Sequence, residues 1–297
     1  MRMIFLFIDG LGLGERDGSV NPVYDAQVPT LRRILEDPGT YKVDACLGVK
    51  GLPQSATGQT AIFTGENASQ VLGRHLHGRP TITLRGLIQK NNLFRELRAM
   101  GCSVTNANVY RVEYLEKMLD PQDRRNQPSV TSVMCLSEGI PFRTHEDYQK
   151  GRGLYHDITG RVLIEYGYDV ERITPREAAR RLYAISRDFD FTLFEHFMSD
   201  IIGHRMKREE AVLEAQLLDE FLEALLGLCD PEQDILFMIS DHGNLEDISV
   251  KTHTLNPVPA AIIGRLPEGP ELKLKSLTDV TPAVVEIFRR SRRAIGN

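Results

Sequence analysis

A chain of 297 residues, 41% hydrophobic and 26% charged, has an ordinary soluble composition and enough length for one large α/β domain or a core carrying a modest insertion. A net charge of -5 argues against general nucleic-acid binding, and the short basic run Arg289-Arg290 with Arg292-Arg293 reads as a solvated helix end. Cys46, Cys102, Cys135 and Cys229 are far apart and lack CxxC spacing, and the apolar opening Met1–Ile8 is too short for a membrane span or signal peptide; a cytoplasmic protein with free thiols is expected.

In chain order, short apolar runs alternate with helical patterns, the signature of an α/β fold. Ile4–Ile8 is a buried parallel strand, closed by the glycine-rich turn Asp9–Gly14. Val28–Glu36 is a helix, and another starts near Gly58 after a turn at Pro53–Ser55. Leu93–Met100, with Gly101 as its stop, leads to a strand over Ser103–Tyr110. Pro175–Arg187 is a helix capped by Thr174, and Phe191–Phe197 a strand. Glu209–Leu228 is the clearest helix, its apolar pairs Val212-Leu213, Leu217-Leu218, Phe221-Leu222 and Leu225-Leu226 forming one stripe. Asp234–Ser240 is a strand that delivers Asp241 and His242, Pro259–Ile263 is another, and Asp279–Arg289 is a closing helix. The polar, glycine- and proline-rich stretch 111–172 lacks sustained periodicity and reads as a small insertion or cap within a core made of 1–110 and 173–297.

The chemistry-bearing residues gather where apolar runs end. Asp9 follows the first strand, and Asp200-Ile-Ile-Gly-His204, Asp241-His242-Gly243 and Thr252-His253-Thr254 occupy later strand ends or adjoining loops. Imidazole and carboxylate together suit zinc, manganese or iron, and open α/β sheets bind ligands beyond the carboxyl ends of their strands. Singly, each motif also reads as a turn or a solvated loop; the weight lies in their joint placement. Ser55 and Thr57 stand just ahead of a helix, whose N-terminus favours phosphate. Such hydroxyls more commonly cap the helix, and the local sequence leaves nucleophile and cap both open. Arg74-His-Leu-His77-Gly-Arg79 is a basic loop suited to a second anionic group, and Tyr155-His156-Asp157 can serve in a lid; a solvated loop is the alternative for the first.

The run Gln54-Ser55-Ala56-Thr57-Gly58-Gln59-Thr60 to Gly65 resembles the nucleophile segment of alkaline phosphatases, and also that of cofactor-independent phosphoglycerate mutases and phosphopentomutases. The order Asp9-Gly10, nucleophile, Asp200-x-x-Gly-His204, Asp241-His242-Gly243 and His253-Thr-x-Asn-Pro-Val-Pro259 is similar to that superfamily, and the last segment is most similar to its mutase, or metalloenzyme, branch. The resemblance covers about 1–110 and 185–297. It implies a three-layer α/β/α core with a mostly parallel sheet and two divalent metal ions, Mn²⁺ or Zn²⁺. One would be held by Asp200, His204 and His253, the other by Asp9, Asp241 and His242 with Ser55 coordinating. The family register makes Ser55 the nucleophile, with Thr57 as fallback, and implies a phosphoserine released by water.

The mutase branch keeps a larger cap than 111–172 and places His where this chain has Gln59. Both departures favour a phosphomonoesterase acting on a small phosphorylated substrate, bound through residues such as Arg74, His77, Arg79 and His156, with no nucleic-acid or membrane partner. A phosphomutase for phosphoglycerate or a phospho-sugar is the alternative. A phosphodiesterase, or a metal-binding protein without catalysis, comes after it.

Overall fold

The computed structural model describes residues 1–120, 122–123 and 125–295; positions 121 and 124 of the inserted stretch, and 296–297, lie outside the described residues. The chain opens with β1 (Arg2–Ile8), followed by α1 (Pro22–Asp25), α2 (Pro29–Glu36) and β2 (Tyr41–Val43). Helices α3 (Ser55–Thr64), α4 (Ala68–Leu72), α5 (Ile82–Lys90) and α6 (Leu93–Ala99) lead to β3 (Val104–Asn106). Then come α7 (Val112–Leu119), α8 (Val130–Glu138), α9 (His145–Gln149), α10 (Arg161–Glu165), α11 (Pro175–Ser186) and β4 (Phe191–His196). Helices α12 (Met198–Gly203) and α13 (Arg208–Leu228) precede β5 (Asp234–Ile239), and β6 (Val258–Ile263) and α14 (Val280–Ile295) follow.

The strands form one six-stranded sheet in the order β2-β6-β5-β1-β4-β3. The inner strands are parallel, β1 pairing with β4 and β5, and β4 with β3; β6 runs antiparallel to β5 and β2 antiparallel to β6. β1 is an uninterrupted apolar run because both its faces are covered. Met3, Phe5 and Phe7 pack into one core with α3, α6, α8 and α14, whereas Ile4, Leu6 and Ile8 pack into the other with α2, α11 and α13. This is the expected three-layer α/β/α arrangement.

Some element boundaries differ from the sequence expectation, for identifiable reasons. The strand expected over Ser103–Tyr110 ends at Asn106, whose Oδ1 accepts from Asn108 N at 3.0 Å, a local side-chain turn that competes with the ladder. The stripe on α13 holds except at one position. Ala211, Ala215, Leu218, Phe221, Leu222 and Leu225 are buried and Val212, Leu217 and Leu226 pack against them, but Leu213 is 65% exposed, because at about 100° per residue it points away from the face of Ala211, Ala215 and Leu222. Asp219, a buried acid on the same helix, accepts from Leu31 N at 2.6 Å and so caps α2, whose own Val28 has no side-chain acceptor.

The 111–172 stretch contributes to both layers. Val130, Val133, Met134 and Cys135 of α8 lie in the first core, and Tyr148, Leu154, Ile158 and Leu163 in the second. All four cysteines are free, and no helix among the described residues is long and apolar enough to cross a membrane.

Leu222→Ala should cost about 2–5 kcal/mol of unfolding free energy by leaving a buried cavity, whereas Leu213→Ala should stay within about 0.5 kcal/mol. Denaturant titration of the two variants checks which face of α13 is inside.

Candidate metal centre

Parallel pairing in register brings the strand ends together. Ile8 lies opposite His196 on β4, and Phe7 opposite Ile239 on β5, so Asp9, the turn into α12 and Asp241 emerge side by side. Asp9 N donates to His196 O at 2.9 Å, and Ser199 Oγ donates back to Asp9 O. Ser240 Oγ accepts from Leu11 N at 2.9 Å and donates to His242 O at 3.1 Å, tying the end of β5 to the turn after β1.

Two clusters result. In the first, His204 Nε2 and His253 Nε2 each lie 3.4 Å from Asp200 Oδ1 and 3.1 Å from one another. Their Nδ1 atoms lie 2.8 Å from Lys251 O and 2.7 Å from Pro53 O, and a carbonyl can only accept. In the neutral rings Nδ1 therefore carries the proton, and two Nε2 lone pairs converge on each other and on a carboxylate oxygen. That arrangement is repulsive by itself and complementary to a cation, with the backbone carbonyls orienting the rings.

The second cluster places His242 Nε2 3.3 Å from Asp9 Oδ1, 3.6 Å from Asp241 Oδ2 and 3.0 Å from Ser55 Oγ. Asp200 is close enough to join Asp9 and His242, so its carboxylate stands between the clusters instead of serving only the first. The rings of His242 and His253 stack with centroids 3.7 Å apart. Asp9 Oδ1 and His242 Nδ1 are buried without hydrogen-bond partners. These donor types, and these unpartnered atoms, fit divalent metal ions.

The electrostatics are strained in the same sense. Burial and the neighbouring Asp241 push Asp9 well above the usual carboxylate range, against His242. Burial also raises Asp241, although His242 opposes it. Burial works against charge on His242, yet Asp241, Asp9 and Asp200 outweigh it and lift the imidazole to about 10. For Asp200 burial is overcome, and His253, His242, Asn244 and His204 hold it far below the usual range. Protons here do the work that a cation would do.

Ser55 is the first residue of α3 and 8% exposed. It does not cap the helix; its Oγ faces His242, and Gln54 holds the cap position. Thr57 does not share this placement. It is fully buried, its Oγ donating to Gln54 O at 3.1 Å and accepting from Leu76 N at 3.2 Å, so the fallback hydroxyl is occupied structurally. Gly58 lets α3 approach the centre, since a Cβ there would lie 2.9 Å from Asp241 O. Gln59 Nε2 donates to Asp241 Oδ2 at 3.2 Å.

None of the remaining sequence candidates is a member of either cluster. Arg74 is exposed, with no side-chain contact to the centre among the described residues. The His77 ring is 6.3 Å from that of His253. Arg79 and His156 line a separate cavity of about 210 Å³, bounded at one end by Glu195 and Phe197 on the chain leading to Asp200.

Sequence reasoning missed the residues that hold the ligands in place. Asn244 Nδ2 donates to Asp200 Oδ1 at 2.6 Å and Asp200 O at 3.1 Å. Glu246, 1% exposed, accepts from Gly12 N at 2.9 Å, Asn244 N at 2.7 Å, Asn256 Nδ2 at 3.1 Å and Thr254 Oγ1. One carboxylate thereby joins the loops that carry Asp9, Asp241-His242 and His253. A Cβ on residue 12 would lie 2.2 Å from Glu246 Oε1, so the glycine-rich turn after β1 was the available sequence signal for a close neighbour.

Comparison with known proteins agrees with this geometry. The family model described as "Metalloenzyme superfamily" matches residues 1–291. A 2,3-bisphosphoglycerate-independent phosphoglycerate mutase of Paracoccus denitrificans is 30% identical over 133 residues, which is 42% of this chain and 26% of the mutase. The chain thus matches about a quarter of the length of such relatives. Among solved structures, the PH0037 protein from Pyrococcus horikoshii superposes with TM-score 0.60 at 14% identity, covering 97% of each chain. Alkaline phosphatase from the Antarctic bacterium TAB5 does so with TM-score 0.52 at 11% identity, covering 97% of this chain and 98% of the other. At these identities the structural likeness speaks for the fold.

Two outcomes follow from the site. Glu246→Gln should weaken Mn²⁺ or Zn²⁺ binding by roughly 10–100-fold, measured by calorimetry on metal-free protein, whereas Glu232→Gln, in an exposed pair with Arg265, should not. Metal loading at pH 7 should also release protons, His242 foremost, because its imidazole is held charged up to about 10. The binding enthalpy should then vary with buffer ionisation enthalpy; a buffer-independent enthalpy would contradict the assignment.

Proposed function

This chain belongs to the metalloenzyme superfamily, and from that premise we propose that it is a divalent-metal-dependent phosphomonoesterase with Ser55 as nucleophile and water as acceptor. The observation that carries the reading is the position of Ser55, at the N-terminus of a ten-residue helix with Oγ 3.0 Å from His242 Nε2 of the second donor cluster. Asp200, His204 and His253 would hold one cation, and Asp9, Asp241 and His242 the other, with Asp200 near both; Mn²⁺ and Zn²⁺ each suit these donors. Bound cations supply positive charge that favours the ionised Ser55 hydroxyl and offsets charge on the phosphoryl oxygens.

Ser55 Oγ attacks phosphorus in line as the ester P–O bond breaks, the alcohol leaving with a proton and a phosphoserine remaining. Water then attacks the phosphoserine, the Oγ–P bond breaks, and inorganic phosphate leaves while Ser55 regains its proton. The positive end of the α3 dipole favours the phosphoryl group beside Ser55 in both steps. Backbone carbonyls orient His204 and His253, and Glu246 and Asn244 keep the loops from moving apart as charge shifts. Gln59 favours water as acceptor, since its amide is committed to Asp241 and offers no basic group to retain the phosphate for return. The substrate is a small phosphorylated molecule, and the four free cysteines suit a cytoplasmic setting.

A phosphomutase is the second reading, and the mutase names of the relatives favour it. The two differ in product: a phosphatase yields free phosphate from a phosphomonoester panel, and a mutase yields a positional isomer without phosphate release. With metal-loaded protein, Ser55→Ala should lower turnover by at least about a thousandfold while retaining metal binding. A ³²P label should be trapped on Ser55 by acid quench of the parent protein. Turnover or label persisting in Ser55→Ala would remove Ser55 as nucleophile.

A further inference from the structure

The cavity of about 210 Å³ beside the centre lies between the C-terminal end of β4 and the segment carrying α7 and α10. Its polar groups are unusually short of partners. Glu195 is 1% exposed; its Oε2 accepts from Thr131 Oγ1 at 2.7 Å, but Oε1 has no hydrogen-bond partner. His156 Nδ1 and Tyr114 OH are likewise buried and unpartnered, and both residues line the same space. Leaving a buried donor or acceptor unmet costs its full desolvation, so three on one cavity mark a place where something else completes them.

Two guanidiniums, of half-buried Arg111 and exposed Arg79, also line the cavity over aromatic rings. Arg111 Cζ lies 3.8 Å from the centroid of the Tyr166 ring, and Arg79 Cζ 5.4 Å from that of Tyr114. Among the described residues neither forms an ion pair with a carboxylate. Stacking on a ring leaves the guanidinium edge free to grip a planar anion. Water alone would satisfy the three unmet atoms, but it gives no reason for two unpaired cations held over aromatic faces.

The location relates the cavity to the reaction. Glu195 pairs in register with Phe7, two residues before Asp9, on the sheet face shared with α3 and α8. A group bound there is thus placed to belong to the same molecule as a phosphoryl group at Ser55. On the strength of the phosphoryl-transfer reading, we propose that this cavity is the leaving-group pocket, and that it selects a polyhydroxylated leaving group carrying an anionic group of its own. Arg79 and Arg111 hold the anion, and Glu195 Oε1 takes a hydroxyl. Burial lifts the Glu195 carboxyl to about 7 against the Thr131 hydrogen bond, and burial with His196 and Arg111 drops His156 to about 3, so its ring is neutral and offers both a donor and an acceptor.

The test is equilibrium binding to the metal-loaded Ser55→Ala protein, which separates recognition from turnover. Four of the nine tyrosines line the cavity and the chain has no tryptophan, so tyrosine emission reports occupancy directly. The probes are 6-phosphogluconate, with hydroxyls and a carboxylate, glycerol 2-phosphate, with hydroxyls only, and phenyl phosphate, with neither. The expected result is 6-phosphogluconate binding roughly tenfold or more tighter than the other two, and perturbing tyrosine emission. Arg111→Gln and, separately, the exposed-loop variant Arg79→Gln should each shrink that preference severalfold, in protein with an unchanged thermal midpoint. Equal affinities for the three probes, or a preference unaffected in both variants, would overturn the pocket. If the preference holds while the Ser55 labelling experiment fails, the phosphoryl-transfer reading falls and the cavity stands as a binding site. If labelling succeeds and the preference is absent, the reverse is true.

Discussion

Backbone pairing between β1 and its parallel neighbours β4 and β5 sets where every charged group of the centre can lie. Because the three strands run the same way and in register, their carboxyl ends finish at one level, so that Asp9 and Asp241 leave the sheet beside the start of α12, which carries Asp200. Nothing apolar replaces that constraint. The core residues of the strands hold the sheet between its helices, but the acids gather because the hydrogen-bond ladder ends where it does.

Gathering acids at a buried point is costly, and the surrounding structure is organised around that cost. Burial and mutual repulsion raise Asp9 and Asp241, while their combined field keeps His242 charged. Two imidazole lone pairs converge on Asp200 from rings oriented by backbone carbonyls. Glu246 then restrains the loops by accepting from three separate segments. A buried carboxylate with so many donors is well satisfied, and its satisfaction depends on all three loops staying in place. Ligand-type residues and their restraint are therefore one network, in which a cation would relieve repulsion that the polypeptide alone only contains.

The stretch 111–172 takes part in both the core and the site. Its helix α8 packs under the sheet face that carries α3, and Thr131 on that helix binds the carboxylate of Glu195. The same stretch supplies Arg111, Tyr114 and Tyr166 to the cavity next to the centre.

Several features were legible in the sequence because local pattern decides them. β1 and β5 are almost wholly apolar runs, which only a sheet covered on both faces can bury, and Asp9 and Asp241-His242 stand where those two runs stop, whereas Asp200 and His204 sit on and just after α12 and His253 in the loop before β6. The helix over Pro175–Ser186 begins at a Thr174 cap, as its sequence predicts. Other features required the tertiary structure. Ser55 and Thr57 are the same kind of residue in the same local setting, and only the approach of His242, 187 positions away, separates the hydroxyl facing the centre from the one tied into the helix turn. Asp200 reaching both clusters, Glu246 joining three loops, and the inward face of α13 likewise depend on what packs opposite. Sequence spacing encodes the period of an element and the place where it ends. Which side chain meets which across hundreds of residues is set by the packing of whole layers, and that is where the centre and its neighbouring cavity were decided.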